Sequence, residues 1–264
     1  MRFQGDALSR MLVVVLVLGA GAGCAAKPSS QPVHRFELLT YAEPANASDP
    51  ATVESEQCLF GSYAAATPVL LLSEKDSTTC SVTTGRVGAV GTGNGDCTVL
   101  VGAERCKGTY ALGVIGARGA YRQVEPHAIT DEATRARLRQ AISTGRAVEM
   151  ASSRWKDALD GRSFEPSIFE AFSWSELDGG PILVRLKVDG DAEGGPWVTV
   201  SHGEVGAMAG PFTMQVPSGF TLDGRSYLSI SVAVCTECGG VGTEVHAVEG
   251  GRLRRVLESF ANAN

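Results

Sequence analysis

Two cysteines three positions apart, Cys235 and Cys238, are the residues in this 264-residue chain whose spacing most directly suggests chemistry. A Cys-x-x-Cys pair supports thiol–disulfide exchange when its first cysteine opens a helix, because the partial positive charge there lowers the thiol pKa. Here the pair runs into Gly239-Gly240-Val241-Gly242. Glycines at that density make a poor helix start and a good loop. The pair is therefore expected to be a structural disulfide in a hairpin loop, with exchange through Cys235 and Cys238 as an alternative. Zinc is disfavoured, since a four-sulfur site wants a second close pair and Cys97 and Cys106 lie too far apart to supply one.

Asp189, Asp191 and Glu193 place carboxylates at alternating positions before Gly194, as oxygen-rich calcium loops do. The bidentate Glu expected twelve positions into such a loop is replaced by Val200. The segment is expected to be a solvated hairpin tip between two strands. Calcium is the weaker reading, structural rather than catalytic, and no other cofactor is expected.

Catalytic templates are absent: there is no Gly-x-Ser-x-Gly elbow, no HExxH helix and no Walker loop. The glycine-rich stretch 88–95 is followed by Asp96 where a dinucleotide fingerprint wants its last glycine. His34, His127 and His246 stand apart from any plausible nucleophile, and His202 adjoins Ser201. Ser201-His202 and Ser226 are thus the nucleophile and base candidates of a hydrolase whose triad would assemble from distant residues. No catalytic residue is assigned. Trp155, Trp174 and Trp197 are expected to pack in the core rather than form a carbohydrate-stacking platform.

The elements that must hold these groups are mostly strands. Runs 36–41, 68–73, 80–84, 97–101 and 110–115 are short, β-prone and separated by glycine and polar clusters. They define a β-rich, cysteine-containing segment, 34–125. A helical connector, 126–165, follows. Asp131 offers an N-cap, Leu138, Ala141 and Ile142 share one face, and Gly145 supplies a stop, so a helix is predicted over 131–144. A second helix is predicted over 148–159. Residues 166–264 return to strands. The fold class is mainly β with one or two helices in the middle (α+β), arranged as a β-sandwich or a small β-repeat assembly.

Cysteine parity and charge bound the function. Apart from Cys24, the cysteines are Cys58, Cys80, Cys97, Cys106, Cys235 and Cys238, an even set suited to disulfides in an oxidising compartment. Local spacing favours Cys58–Cys80, Cys97–Cys106 and Cys235–Cys238, although the first two pairs can exchange partners. The net charge of −6 argues against a nucleic-acid partner.

Leu177-Asp178-Gly179 and Leu222-Asp223-Gly224 each precede a β run, and a second strand follows in each copy, at 197–201 and 244–248. Glu249-Gly250-Gly251 then reads as a hairpin turn before a last strand over 253–258. With a period near 45 residues, this part resembles the FG-GAP and VCBS-type repeat proteins. The resemblance implies aspartate-bearing loops ahead of hydrophobic strands, which often bind calcium. Each loop here keeps a single aspartate, so calcium at either is not expected, and two copies do not close a propeller.

The N-terminus carries Arg2 and Arg10, an apolar run from Met11 to Leu18, and Gly21-Ala22-Gly23-Cys24. This arrangement resembles a bacterial lipoprotein signal, with Gly21 where a branched residue is commonest. The resemblance implies a signal peptide over 1–23, lipid on Cys24 and a membrane partner reached through that lipid. Residues 24–33, rich in Pro and Ser, read as a tether. Ala25, rather than Asp, after the cysteine implies the outer membrane, facing the periplasm or the surface. A soluble secreted or periplasmic protein is the alternative. The expected function is binding or structural support in the cell envelope, with an envelope protein or glycan as partner. A hydrolase without a recognisable motif, or thiol exchange, is the alternative.

Overall fold

A computed structural model describes residues 34–42, 52–55, 66–73, 77–84, 100–101, 106, 110, 112–155, 163–188, 194–201, 203–209, 215–233 and 241–260. Sixteen strands and two helices are described in chain order. The strands of the first part are β1 (Arg35–Ala42), β2 (Thr52–Ser55), β3 (Pro68–Leu72), β4 (Thr79–Thr84), β5 (Leu100–Val101), β6 (Leu112–Ile115), β7 (Tyr121–Val124) and β8 (His127–Ala128). The helices α1 (Glu132–Thr144) and α2 (Ala147–Arg154) come next. The rest is β9 (Phe164–Ser173), β10 (Ile182–Val188), β11 (Gly194–Ser201), β12 (Glu204–Ala209), β13 (Ser218–Leu222), β14 (Arg225–Ala233), β15 (Val241–Glu249) and β16 (Arg252–Phe260). The chain is mainly β, in three antiparallel sheets with two helices in the middle of the sequence, and the described strands form no closed barrel.

The sheet orders show what the sequence repeat builds. One five-stranded sheet runs β12-β11-β10-β9-β8 and another β16-β15-β14-β13-β7. Each is a four-stranded meander of consecutive strands, extended at the same end by one short strand. The two extra strands come from a single stretch, 121–128, in which Glu125-Pro126 separates β7 from β8. Residues 121–124 pair with β13 and residues 127–128 with β9, so one ribbon serves both sheets. The third sheet, β2-β1-β6-β3-β4-β5, gathers the N-terminal strands. Val33–Asn264 forms one compact unit.

Alternation along each strand stacks these sheets. In β14, Tyr227 faces the N-terminal sheet in a core with Phe36, Leu70, Leu112 and Val114, while Leu228, Ile230 and Val232 face Leu183 and Trp197 of the β9–β12 sheet and Trp174 just after β9. The β13–β16 sheet is therefore the central layer, buried on both faces. The far side of the β9–β12 sheet, through Val184, Leu186, Val198 and Val200, receives Leu138, Ala141, Ile142, Ala147 and Ala151 of the two helices. Each aliphatic side chain buried this way contributes about 1.5–3 kcal/mol. Trp174 and Trp197 are fully enclosed, as expected of core residues.

The first helix follows its sequence signals closely. Asp131 accepts the Thr134 N–H at 2.7 Å, which satisfies one orphan donor of the first turn, and hydrogen bonding from the Thr134 side chain, with that backbone bond, holds the Asp131 carboxyl below its usual pKa. Gly145 N–H closes the last turn on Ala141 O. Arg146 then takes a left-handed φ of 57° and starts α2. That helix ends at Arg154, and residues 156–159 of the predicted span lie outside the described residues.

Cys80 bonds to Cys106. This replaces the locally favoured pairing of Cys80 with Cys58 and Cys106 with Cys97 by one of the pairings that exchange between them allows. The reason is strand register: Thr83 and Thr84 of β4 pair antiparallel with Val101 and Leu100, so the direction from Thr83 toward Cys80 is also the direction from Leu100 through Val101 toward Cys106. Cys58 and Cys97 lie outside the described residues. No helix among the described residues is long and apolar enough to cross a membrane.

Candidate functional site

The two Leu-Asp-Gly copies act as clamps. Asp223 and Gly224 form the tight turn between β13 and β14, with φ of 50° and 77°, the left-handed pair of a type I′ hairpin. Asp223 Oδ2 accepts the Arg118 N–H at 2.5 Å, Oδ1 accepts the Ala120 N–H at 3.2 Å, and its own N–H donates to Ala120 O. Asp178, in the longer loop between β9 and β10, does the same to another turn. Its Oδ2 accepts the Gly250 N–H at 2.7 Å and its carbonyl accepts the Gly251 N–H at 3.0 Å. Carboxylates engaged by backbone donors in this way serve as struts between segments.

Asp223 also ends a buried relay that no sequence spacing announces. His34 Nε2 lies 3.3 Å from Asp223 Oδ2, and His34 Nδ1 lies 2.9 Å from the Tyr227 hydroxyl. For a neutral imidazole these partners put the proton on Nε2, donated to Asp223, and leave Nδ1 to accept the Tyr227 O–H. Burial pushes the His34 pKa down, Asp223 opposes this, and Arg225 adds to the depression. Burial raises the Tyr227 pKa above its ordinary value. Carboxylate, imidazole and hydroxyl are ordered as in a catalytic triad. Tyr227 is only 2% exposed, however, and its ring packs against Phe36 and Phe220. The relay fastens the start of β1 to the central sheet.

The other sequence candidates separate clearly. Ser226 accepts the Asp178 N–H at 2.9 Å and is buried, so its hydroxyl is a packing partner. His246 is buried beside Glu244, its Nε2 2.8 Å from Glu244 Oε2, with Arg255 at 3.6 Å from the other carboxylate oxygen. His127 is exposed on β8. Cys24, Cys235, Cys238, Asp189, Asp191, Glu193 and His202 lie outside the described residues. Among the described residues no group of three His, Cys, Asp or Glu side chains converges as a metal site would.

Ser201 does reach an open cleft. The cleft, of about 310 Å³, is lined by Thr199, Ser201, Glu204, Val205 and Gly206 from the β11–β12 hairpin and by Gly251, Arg252 and Leu253 from the β15–β16 hairpin. These are the same hairpin, third strand to fourth, in the two meanders. Ser201 pairs with Glu204 across one turn and Glu249 pairs with Arg252 across the other. Glu204 and Arg252 therefore occupy equivalent positions with opposite charge, and Val205 and Leu253 follow them as equivalent apolar walls. In the sequence Ser201 stood out only as a nucleophile candidate and Gly251 only as part of a hairpin turn. The cleft's assembly from two repeats required the sheets. Set against known protein families, curated proteins and solved structures, the chain matches none.

Proposed function

We propose that this is an exported protein, anchored to the outer membrane through a lipid on Cys24, that works by binding a partner rather than by catalysis. The observation that carries the binding half is the division of polar groups. Those arranged like catalytic machinery, Asp223, His34 and Tyr227, together with the Ser226 hydroxyl, are engaged in hydrogen bonds within the fold, even though Ser226 and Tyr227 also border a second cleft of about 270 Å³. The cleft between the two hairpins is bordered instead by the exposed Glu204 and Arg252, a carboxylate and a guanidinium suited to recognising a ligand by charge and hydrogen bonds. The anchoring half rests on Gly21-Ala22-Gly23-Cys24 behind its apolar run, and the paired Cys80 and Cys106 suit an oxidising compartment.

Intact-mass analysis of the native protein from membranes tests both halves. A mature chain starting at Cys24 and carrying three acyl chains is expected, and Cys24→Ala is expected to leave the membrane fraction. An unmodified soluble protein would remove the anchor. Covalent capture of Ser201 by a fluorophosphonate would replace binding with hydrolysis, and rapid trapping of Cys235 and Cys238 thiols would favour exchange.

A further inference from the structure

We infer that the cleft between the two repeated hairpins is a recognition site for a small zwitterion, an amino acid or a dipeptide with free ammonium and carboxylate groups. The inference rests on the binding reading above and names the ligand class.

The charges come first. Glu204 and Arg252 line one cleft with opposite signs, and among the described residues neither forms an ion pair with another side chain. Neighbouring arginines do the opposite: Arg254 is paired with Glu249 and Arg255 with Glu258. A ligand carrying both charges satisfies Arg252 with its carboxylate and Glu204 with its ammonium, and the planar guanidinium matches the carboxylate in a two-bond fork. Nucleic acid or a polyanion would meet Glu204 with repulsion.

The walls are built and held. Asp178 fixes the β15–β16 turn through Gly250 and Gly251, and so sets where Arg252 begins β16. On the other side β12 carries a bulge. Val205 pairs with Val200 and Met208 with Val198, so residues 206 and 207 stand opposite the single residue Thr199. Gly206 lies there without a side chain, and a Cβ on it would come 2.5 Å from Thr199 Oγ1. The bulge and the glycine together leave room for a buried hydroxyl at the floor, the kind of local re-aiming that bulges supply beside binding sites. Val205 and Leu253 offer aliphatic contact to one side chain. The volume lies at the small end for ligand pockets, which limits the occupant to about one or two residues.

Titration calorimetry of the full-length protein with alanine, with alanyl-leucine, with N-acetyl-alanyl-leucine, with alanyl-leucine amide and with glucose tests this. Saturable binding is expected for alanine or for alanyl-leucine, with each capped form weakened about tenfold or more, the cost of one lost charge-assisted contact. Arg252→Gln is expected to weaken the free ligand and leave the amide unaffected, and Glu204→Gln to do the same with respect to the acetylated form. Both side chains are exposed, so folding is preserved, and thermal unfolding of each variant checks it. No saturable response to either free ligand, equal binding of capped and free forms, preference for glucose, or binding unchanged in both variants would overturn the inference. Covalent capture of Ser201 by a fluorophosphonate would overturn the binding reading itself, whereas any of the outcomes above without such capture would overturn this ligand class alone.

Discussion

Trp174 lies against Gly219 so closely that a Cβ at 219 would sit 2.4 Å from the indole Cδ1 and 2.7 Å from Nε1. The same Cβ would come within 2.9 Å of Val124 O on the ribbon strand β7. Since Trp174 is fully buried among Leu183, Leu228 and Val248, the indole has nowhere to retreat. Gly219→Ala is expected to destabilise the fold by about 1–3 kcal/mol through overpacking. Urea unfolding checks this, and an unchanged midpoint would show that the two sheets slide apart freely.

The His34 relay makes stability depend on pH, with a definite sign. Burial holds the His34 pKa below its ordinary value of about 6.5, so the unfolded chain takes up the proton more readily than the folded one. Its contribution is complete above that value and is lost as pH falls from about 6.5 through the folded-state pKa. The melting temperature is expected to drop between pH 7.5 and 5, and His34→Gln to flatten part of that slope. An identical slope in the variant would assign the effect to other groups.

Tyr227→Phe isolates one bond of the relay. The ring stays packed on Phe36 and Phe220 while His34 Nδ1 loses its donor. A loss of about 1–3 kcal/mol is expected for a buried acceptor left unsatisfied, measured by denaturant unfolding at pH 7.5.

Gly179 has φ of 70°, and a Cβ there would stand 2.1 Å from the Gly251 N. Both the left-handed backbone and the contact exclude a side chain, so Gly179→Ala is expected to cost more than about 2 kcal/mol. Asp178→Ala, which removes only the carboxylate bond to Gly250, is expected to cost about 1 kcal/mol. Faster amide exchange at Gly250 in both variants, read by NMR, would confirm that Asp178 holds the hairpin bearing Arg252.

The Cys80–Cys106 bond closes a span of 26 residues. Replacing both cysteines with serine is expected to lower stability by about 3 kcal/mol. Peptide mapping under non-reducing conditions checks the pairing directly, and recovery of a Cys58–Cys80 peptide would refute it.

What was legible in the sequence followed local rules. Asp131, the Leu138–Ala141–Ile142 face and Gly145 mark α1 because capping and periodicity act within a few residues. The paired Leu-Asp-Gly turns, and the strands after them, were visible because each repeat writes its own turn chemistry. The relay was not legible: His34 and Tyr227 are 193 positions apart and only sheet stacking joins them. Neither were β7 and β8, which are four and two residues long; both residues of β8 are exposed, and these strands exist only because β13 and β9 offer them open edges. The disulfide partner of Cys80 likewise depended on register, which spacing along the chain does not encode.

Because residues 121–128 finish the edge of both meanders, neither repeat is self-sufficient. A fragment starting after this ribbon would present β13 and β9 as two bare templates for strand addition by other molecules, and self-association through them is the expected fate of such a fragment. The ribbon also obliges the halves to melt together, so the pair behaves as one cooperative unit even though each half has a complete meander of its own.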